Sequence, residues 1–328
     1  MTILTPAFFE TELARLTAVV LSDEFVQACA KACNTPVERA RLRLVDCHNE
    51  VSTGLRVLRE IPSGARVLEV GAGTGLLSLI LRSAGVDIVP IEPGSGGFGF
   101  NATAGRLLRE RVDAADLKVL DIGVQDLDPA VHGKFDLIFS VNVLEHIPDL
   151  TSAFAGMRSV LAPRGKMRHT CANYLLPYDP HYGIFLVPFL PRATAWFKPS
   201  LRNDEVWESL NFVTVGQVKR LCKQHGLTCS FESGALYEAF QRLGTDDAFR
   251  ARQPGWLSAV KRVLEVTGGV EIDKAYACVD FHPHDLHLRP ARLDSAQEHV
   301  DDVVLGLSVQ AREHGQAQQC LADAFRYG

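Results

Sequence analysis

No apolar run in this 328-residue chain approaches the roughly 18 residues that a membrane-crossing helix needs, so stable membrane insertion is not expected. Nor is there an excess of positive charge. Lys and Arg number 34 against 39 Asp and Glu, a net charge of -5, and no basic stripe gathers anywhere along the chain. That balance argues against nucleic acid, or any other polyanion, as the main partner. The eight cysteines include no C-x-x-C pair. Scattered as they are, with no secretory leader ahead of them, they read as reduced thiols of a cytoplasmic protein. Cys29 and Cys33 share a helix face, but no second ligand pair completes a metal site. Internal repeats and low-complexity tracts are absent too. What is present, 47% apolar and 22% charged residues, suffices for a full core in one large domain with appendages.

The stretch around which the rest is organised is A-R-V-L-E-V-G-A-G-T-G, Ala65 to Gly75, running on into the leucine-rich Leu76 to Arg82. An apolar run breaks at Gly71, Gly73 and Gly75 and a helical pattern follows, which predicts strand, tight turn and helix. Glycines there allow positive φ and close ligand approach, while the helix start offers unpaired N–H groups. The G-x-G-x-G spacing puts Leu76 where a dinucleotide fingerprint has its third glycine, and no G-K-[ST] follows. Glu69 stands two residues before the loop, where it can meet a cationic group. Glu92 ends the next apolar run, Val86 to Ile91, where a carboxylate can accept both ribose hydroxyls. A ligand with an ammonium, a carboxylate and a ribose fits, and S-adenosylmethionine is such a ligand.

Four ordered segments then carry a resemblance: V-L-E-V-G-A-G-T-G, V-P-I-E-P-G, F-D-L-I-F-S-V-N-V-L-E-H-I-P-D at Phe135 to Asp149, and V-L-A-P-R-G-K-M at Val160 to Met167. Over roughly Arg56 to Gly234 the chain resembles the class I S-adenosylmethionine-dependent methyltransferases, in the small-molecule branch where L-E-H-I follows the fourth strand. The resemblance implies an α/β fold with a doubly wound, seven-stranded, mostly parallel sheet of Rossmann-like type. It also implies an adenine contact after the third strand, Leu117 to Ile122. The acid usual there is replaced by Gly123, so that contact falls to Gln125, Asp126 or backbone groups.

The remaining pattern divides the chain into an N-terminal helical cap at 1–55, a cofactor-binding domain at 56–285 with helical insertion at about 236–273, and a C-terminal helical segment at 286–328. The cap helices could cover the substrate side or merely cap the sheet. The last helices leave open packing on the domain or pairing into a homodimer. Ala275 to Phe281 is the expected last strand, antiparallel in the family. His282, His284 and His287 after it lack the second cluster a metal would need.

Chemistry is expected at the carboxyl ends of the strands, where open α/β sheets bind ligands. The run Phe135 to Val141 delivers Asn142, on the cofactor side, then Glu145 and His146. His146 is a candidate general base, with capping and loop orientation as the alternative role. After the fifth strand, Lys166 to Cys171, comes A-N-Y-L-L-P-Y-D-P-H-Y-G. It is similar to the P-N-Y-x-x-P-Y-E-P-H loop of some bacterial methyltransferases and supplies Tyr174, Tyr178 and His181 as substrate-side residues, His181 also as second candidate base. The ubiquinone-pathway O-methyltransferases, which the Phe135 to Asp149 segment also resembles, have an acid where Asn142 stands, and no metal is expected. Ile184 to Phe197 looks like a lid or apolar wall. The expected activity is transfer of a methyl group from S-adenosylmethionine to a small-molecule acceptor, at a hydroxyl oxygen. A nicotinamide-dependent dehydrogenase and a cofactor-binding module without turnover are the alternatives.

Overall fold

A computed structural model describes residues 5–58, 61–94, 98–231 and 276–283. Helix α1 (Pro6–Val20) starts where the Thr5 hydroxyl accepts the Phe8 N–H, and α2 (Asp23–Ala32) starts where Ser22 does the same for Phe25. Helix α3 (Val37–Val57) follows Pro36 as one continuous element, because nothing between Leu44 and Val51 breaks it. Then come β1 (Arg66–Val70), α4 (Leu76–Ser83), β2 (Asp87–Ile91), α5 (Gly99–Arg111), the short α6 (Pro129–His132) and β3 (Phe135–Val141). After them lie α7 (Leu150–Val160), β4 (Leu161–Ala172) and a two-strand hairpin, β5 (Tyr178–Asp179) and β6 (Ile184–Phe185). The remaining elements are α8 (Thr194–Phe197), α9 (Glu205–Ser209), α10 (Val215–Gln224), β7 (Leu227–Phe231) and β8 (Tyr276–Pro283).

The main sheet runs β2-β1-β3-β4-β8-β7. Its first four strands are parallel, and β8 lies antiparallel between β4 and β7, as expected for the last strand. Alternate side chains feed opposite faces, as the pleat requires. Val67 and Leu137 pack with Leu16, Val26, Leu44 and Ile80 of the N-terminal half; Leu68 and Ile138 pack with Phe154, Met157 and Leu221 on the other side. A third apolar cluster, built on Tyr174, Leu186, Leu201, Trp207 and Phe212, lies in the segment between β4 and α10.

The seven-stranded expectation needs correction at the third strand. Among the described residues, the segment Leu117 to Ile122 makes only one parallel bridge, Leu120 against Ile91. Leu120 donates its N–H to Pro90 and accepts the Glu92 N–H, and the ladder stops there. Along β2, residues 90 and 92 turn their backbone groups to this outer edge, and Pro90 has no N–H to donate there, which removes one ladder bond on the near side of Leu120. The expected insertion at 236–273 and the C-terminal segment at 286–328 lie outside the described residues, as do His284 and His287. Among the described residues no helix is long and apolar enough to cross a membrane.

Candidate active site

Gly71, Gly73 and Gly75 all take positive φ, at 69°, 54° and 77°. Gly71 needs it twice over, since a Cβ there would stand 2.5 Å from Val143 Cγ2, the residue that follows Asn142 beyond β3. Above Gly73 there is room: the nearest atom to a built Cβ is Asn101 Nδ2 at 3.8 Å. Helix α5 closes one flank, with Gly105 so near the loop that a Cβ would meet the Thr74 carbonyl at 2.8 Å. Glu92, at the end of β2, accepts the Gly73 N–H at 2.8 Å. Burial raises the Glu92 pKa, against the pull of the Gly73 and Gly94 N–H groups and with a further push from Asp121. Glu69 is buried beneath the loop and accepts the Ser78 hydroxyl of α4. Burial pushes its pKa to about 8, opposed chiefly by that hydrogen bond. Asn142 sits in the left-handed region at φ 54°, which asparagine tolerates, at the carboxyl end of β3. A glycine turn with open space above Gly73 and the Glu92 carboxylate at its rim fits the amino acid and ribose ends of S-adenosylmethionine.

The expected adenine side is less convergent. Gln125 and Asp126 lie exposed on a 3₁₀ turn, Val124–Asp126. Asp126 Oδ2 accepts the Gly123 N–H and Gln125 Nε2, both at 3.2 Å, so these two side chains brace their own turn.

Beyond β3 the chain makes a 3₁₀ turn at Leu144–His146. Asn211 staples it: its side-chain amide donates to the carbonyls of Leu144 (2.6 Å) and Ile147 (2.9 Å), and its own N–H to the Glu145 carbonyl (2.8 Å). The Glu145 side chain is buried, with Oε1 3.5 Å from the Ala172 N–H and Oε2 without a hydrogen-bond partner among the described residues. Burial raises its pKa to about 7, with the charge on His181 working against that rise. His146 Nδ1 lies 2.8 Å from Ser209 Oγ, whose one proton goes to the Val206 carbonyl at 2.7 Å. Nδ1 must therefore donate, and Nε2 is left as the basic nitrogen. Burial, with the His181 charge, drives the His146 pKa down to about 3, so this imidazole is neutral through the physiological range.

His181 reaches the same place from the loop between β5 and β6. Its ring centroid lies 5.1 Å from that of His146, edge to face, and Phe98 flanks His146 at the same distance. Its Nδ1 faces Asp179 Oδ2 at 3.3 Å, and that oxygen also accepts the Tyr174 hydroxyl at 2.9 Å. Asp179 Oδ1 takes the Tyr182 N–H at 2.9 Å. Burial acts to lower the His181 pKa, but the Asp179 carboxylate, backed by Glu145 and Glu50, lifts it above the ordinary imidazole value. Burial acts to raise Asp179, yet the bonds from His181, Tyr182 and Tyr174 hold it below the usual carboxylate range.

The sequence-derived candidates therefore separate. His146 and His181 meet. Tyr174 is buried and supports Asp179, and Tyr178 packs on Phe185 within the hairpin, its centroid 5.8 Å away. Glu145 offers a carboxylate oxygen without a partner among the described residues, and Asp179, Ser209 and Asn211 were not singled out by the sequence. Glu145, His146 and His181 each bring one potential ligand atom within 4.8 Å of the others.

The family described as a methyltransferase domain matches residues 46–244. A protein of Mycobacterium tuberculosis described as uncharacterized is 35% identical over 213 residues, covering 62% of this chain and 72% of the relative. The ubiquinone biosynthesis O-methyltransferase of Xanthomonas axonopodis pv. citri is 29% identical over 195 residues, 55% of this chain and 70% of that enzyme. Among solved structures, a putative sarcosine dimethylglycine methyltransferase from Galdieria sulphuraria aligns with TM-score 0.42 and 20% identity over 75% of this chain and 88% of that one. A geranyl diphosphate methyltransferase in complex with S-adenosylmethionine aligns at 0.46 and 14% over 75% and 88%.

Proposed function

The chain belongs to the methyltransferase-domain family and is an S-adenosylmethionine-dependent methyltransferase, and from that premise we propose that it methylates a hydroxyl oxygen of a small-molecule acceptor, with His181 as the base. The observation that carries this reading is the Asp179–His181 pair, in which a buried carboxylate fixes the imidazole through Nδ1 and leaves Nε2 to take a proton. The Xanthomonas relative is an O-methyltransferase of ubiquinone biosynthesis, which agrees with the oxygen target.

S-adenosylmethionine supplies a methyl group already activated on a sulfonium. What this chain must add is alignment of the acceptor oxygen and removal of its proton. Gly71, Gly73 and Gly75 admit the cofactor, Glu92 holds the ribose hydroxyls, and Glu69 and Asn142 border the site. His146, held neutral, offers Nε2 as a second acceptor that can orient the same hydroxyl. The hydroxyl proton passes to His181 Nε2, where Asp179 and Glu145 stabilise the resulting imidazolium.

The test is transfer of labelled methyl from S-adenosylmethionine to a panel of phenols, alcohols and amines of similar size, with His181→Ala alongside. Labelled methyl ethers, lost by about 10²-fold or more in the variant, are the expected result. Labelling of amines only, or equal turnover by His181→Ala, would overturn the assignment of target or base.

A further inference from the structure

Downstream of His181, the segment 184–203 exposes more large apolar side chains than any other described stretch. Phe189 is fully exposed at 101%, Phe197 at 79%, Trp196 at 72%, Leu190 at 65% and Phe185 at 59%. Soluble surfaces scatter such residues singly, and a cluster of them marks a contact surface. Phe189 is not merely outside. Its backbone sits at φ 64°, a region costly for an aromatic residue. Hydrogen bonds fix the segment's shape: Val187 N–H to Thr194 Oγ1 at 3.0 Å, Leu190 N–H to the Val187 carbonyl at 3.1 Å, and Arg202 Nε to the Ala195 carbonyl at 3.0 Å.

Charge says what this surface meets. From Tyr182 to Asn203 there is no acid, but there are Arg192, Lys198 and Arg202. Among the described residues none of the three pairs with a carboxylate. Arg192 donates to the Glu208 and Leu210 carbonyls and lies over the Phe212 ring at 5.5 Å, and Arg202 donates to the Ala195 and Trp196 carbonyls, so neither charge is neutralised by a carboxylate among the described residues. The nearest acids on either side are otherwise engaged: Asp179 by His181 and Tyr174, Asp204 by the Tyr182 hydroxyl and the Trp207 N–H. In a chain of net charge -5, this is a local cationic rim around exposed Phe and Trp. Aromatic rings with a basic margin and no acid are the composition that seats at an anionic headgroup boundary.

We propose that the segment 184–203 docks the protein on an anionic lipid surface, with Phe189, Trp196 and Phe197 entering the headgroup region and Lys198 facing the lipid phosphates. The contact is peripheral and needs no spanning helix. Because the segment begins with β6, directly after the loop carrying His181, the docked face lies next to the candidate active site. The proposal stands apart from the identity of the acceptor and is tested without turnover.

The test is flotation of the full chain with phosphatidylcholine vesicles, with and without phosphatidylglycerol, at low and high salt. Wild type should float with the anionic vesicles, less so at high salt, and its tryptophan emission should shift to the blue. The F189S/W196S/F197S variant should lose flotation and that shift while binding S-adenosylmethionine by calorimetry as wild type does. Lys198→Glu, which leaves the apolar side chains alone, should weaken partitioning about fivefold or more. Absence of wild-type flotation with anionic vesicles, or equal flotation of the variants, would overturn the proposal. So would sedimentation velocity showing a wild-type dimer that the triple variant splits, with no vesicle binding, since the patch would then pair two copies of the chain.

Discussion

His181 Nδ1 lies 3.3 Å from Oδ2 of Asp179, a carboxylate with no exposed side-chain surface. A buried acid behind a quarter-exposed imidazole is a directional arrangement: it sets which nitrogen carries the proton and raises the imidazole's affinity for a second one. Glu145, reaching the same point from beyond the end of β3, adds a carboxylate whose Oε2 has no hydrogen-bond partner among the described residues.

The pH dependence follows from that pair. A base works only when unprotonated, and the His181 pKa is raised, so kcat/KM should climb through an apparent pKa above about 6.5, the ordinary imidazole value. Asp179→Asn removes the largest charge holding the proton. The limb should move to lower pH while the plateau falls by about 10²-fold or more, as measured in a pH–rate profile. A plateau loss with an unmoved limb would mean that Asp179 only supports the loop.

His146 should behave differently. With its pKa near 3 it stays neutral across the working range, so His146→Ala should lower kcat or raise KM without displacing the alkaline-rising limb. His146→Gln retains an acceptor near that position and should recover part of the loss. A shifted limb in either variant would transfer the base role to His146.

The glycine loop yields a stability prediction. Gly71→Ala meets Val143 Cγ2 at 2.5 Å and must also hold φ 69°, so urea unfolding should show a loss of about 1–3 kcal/mol. Val143→Ala relieves the contact but not the dihedral. The double variant should therefore be more stable than the sum of the single losses predicts, and strict additivity would show that the contact is not the source of the cost.

Glu69 sets a linkage. Its pKa is about 8 when folded and near the ordinary carboxylate value when unfolded, so between these limits the folded state binds the extra proton. Its contribution is complete below the unfolded value and is lost as pH rises through about 8. Glu69→Gln has no proton to lose, and its melting temperature should fall less than that of wild type between about pH 6 and about pH 9. Parallel curves for the two proteins would place the Glu69 pKa near the usual range.

The amino-acid sequence by itself determined the glycine turn, the parallel strands around it and the helix starts. These rest on interactions within a few residues: glycine's tolerance of positive φ, apolar runs, and hydroxyl caps such as Ser22. The third strand, expected at Leu117 to Ile122, was reduced to one bridge at Leu120 only in the folded chain. The tertiary structure decided what the sequence left open. Asp179 and His181 meet Glu145 and His146 only because β3 and β4 are neighbours in the sheet and because Asn211, from a later segment, pins the Leu144–His146 turn. Burial then separates two histidines of the same ordinary pKa, driving His146 down while Asp179 lifts His181, and that difference between their surroundings exists only in the folded chain.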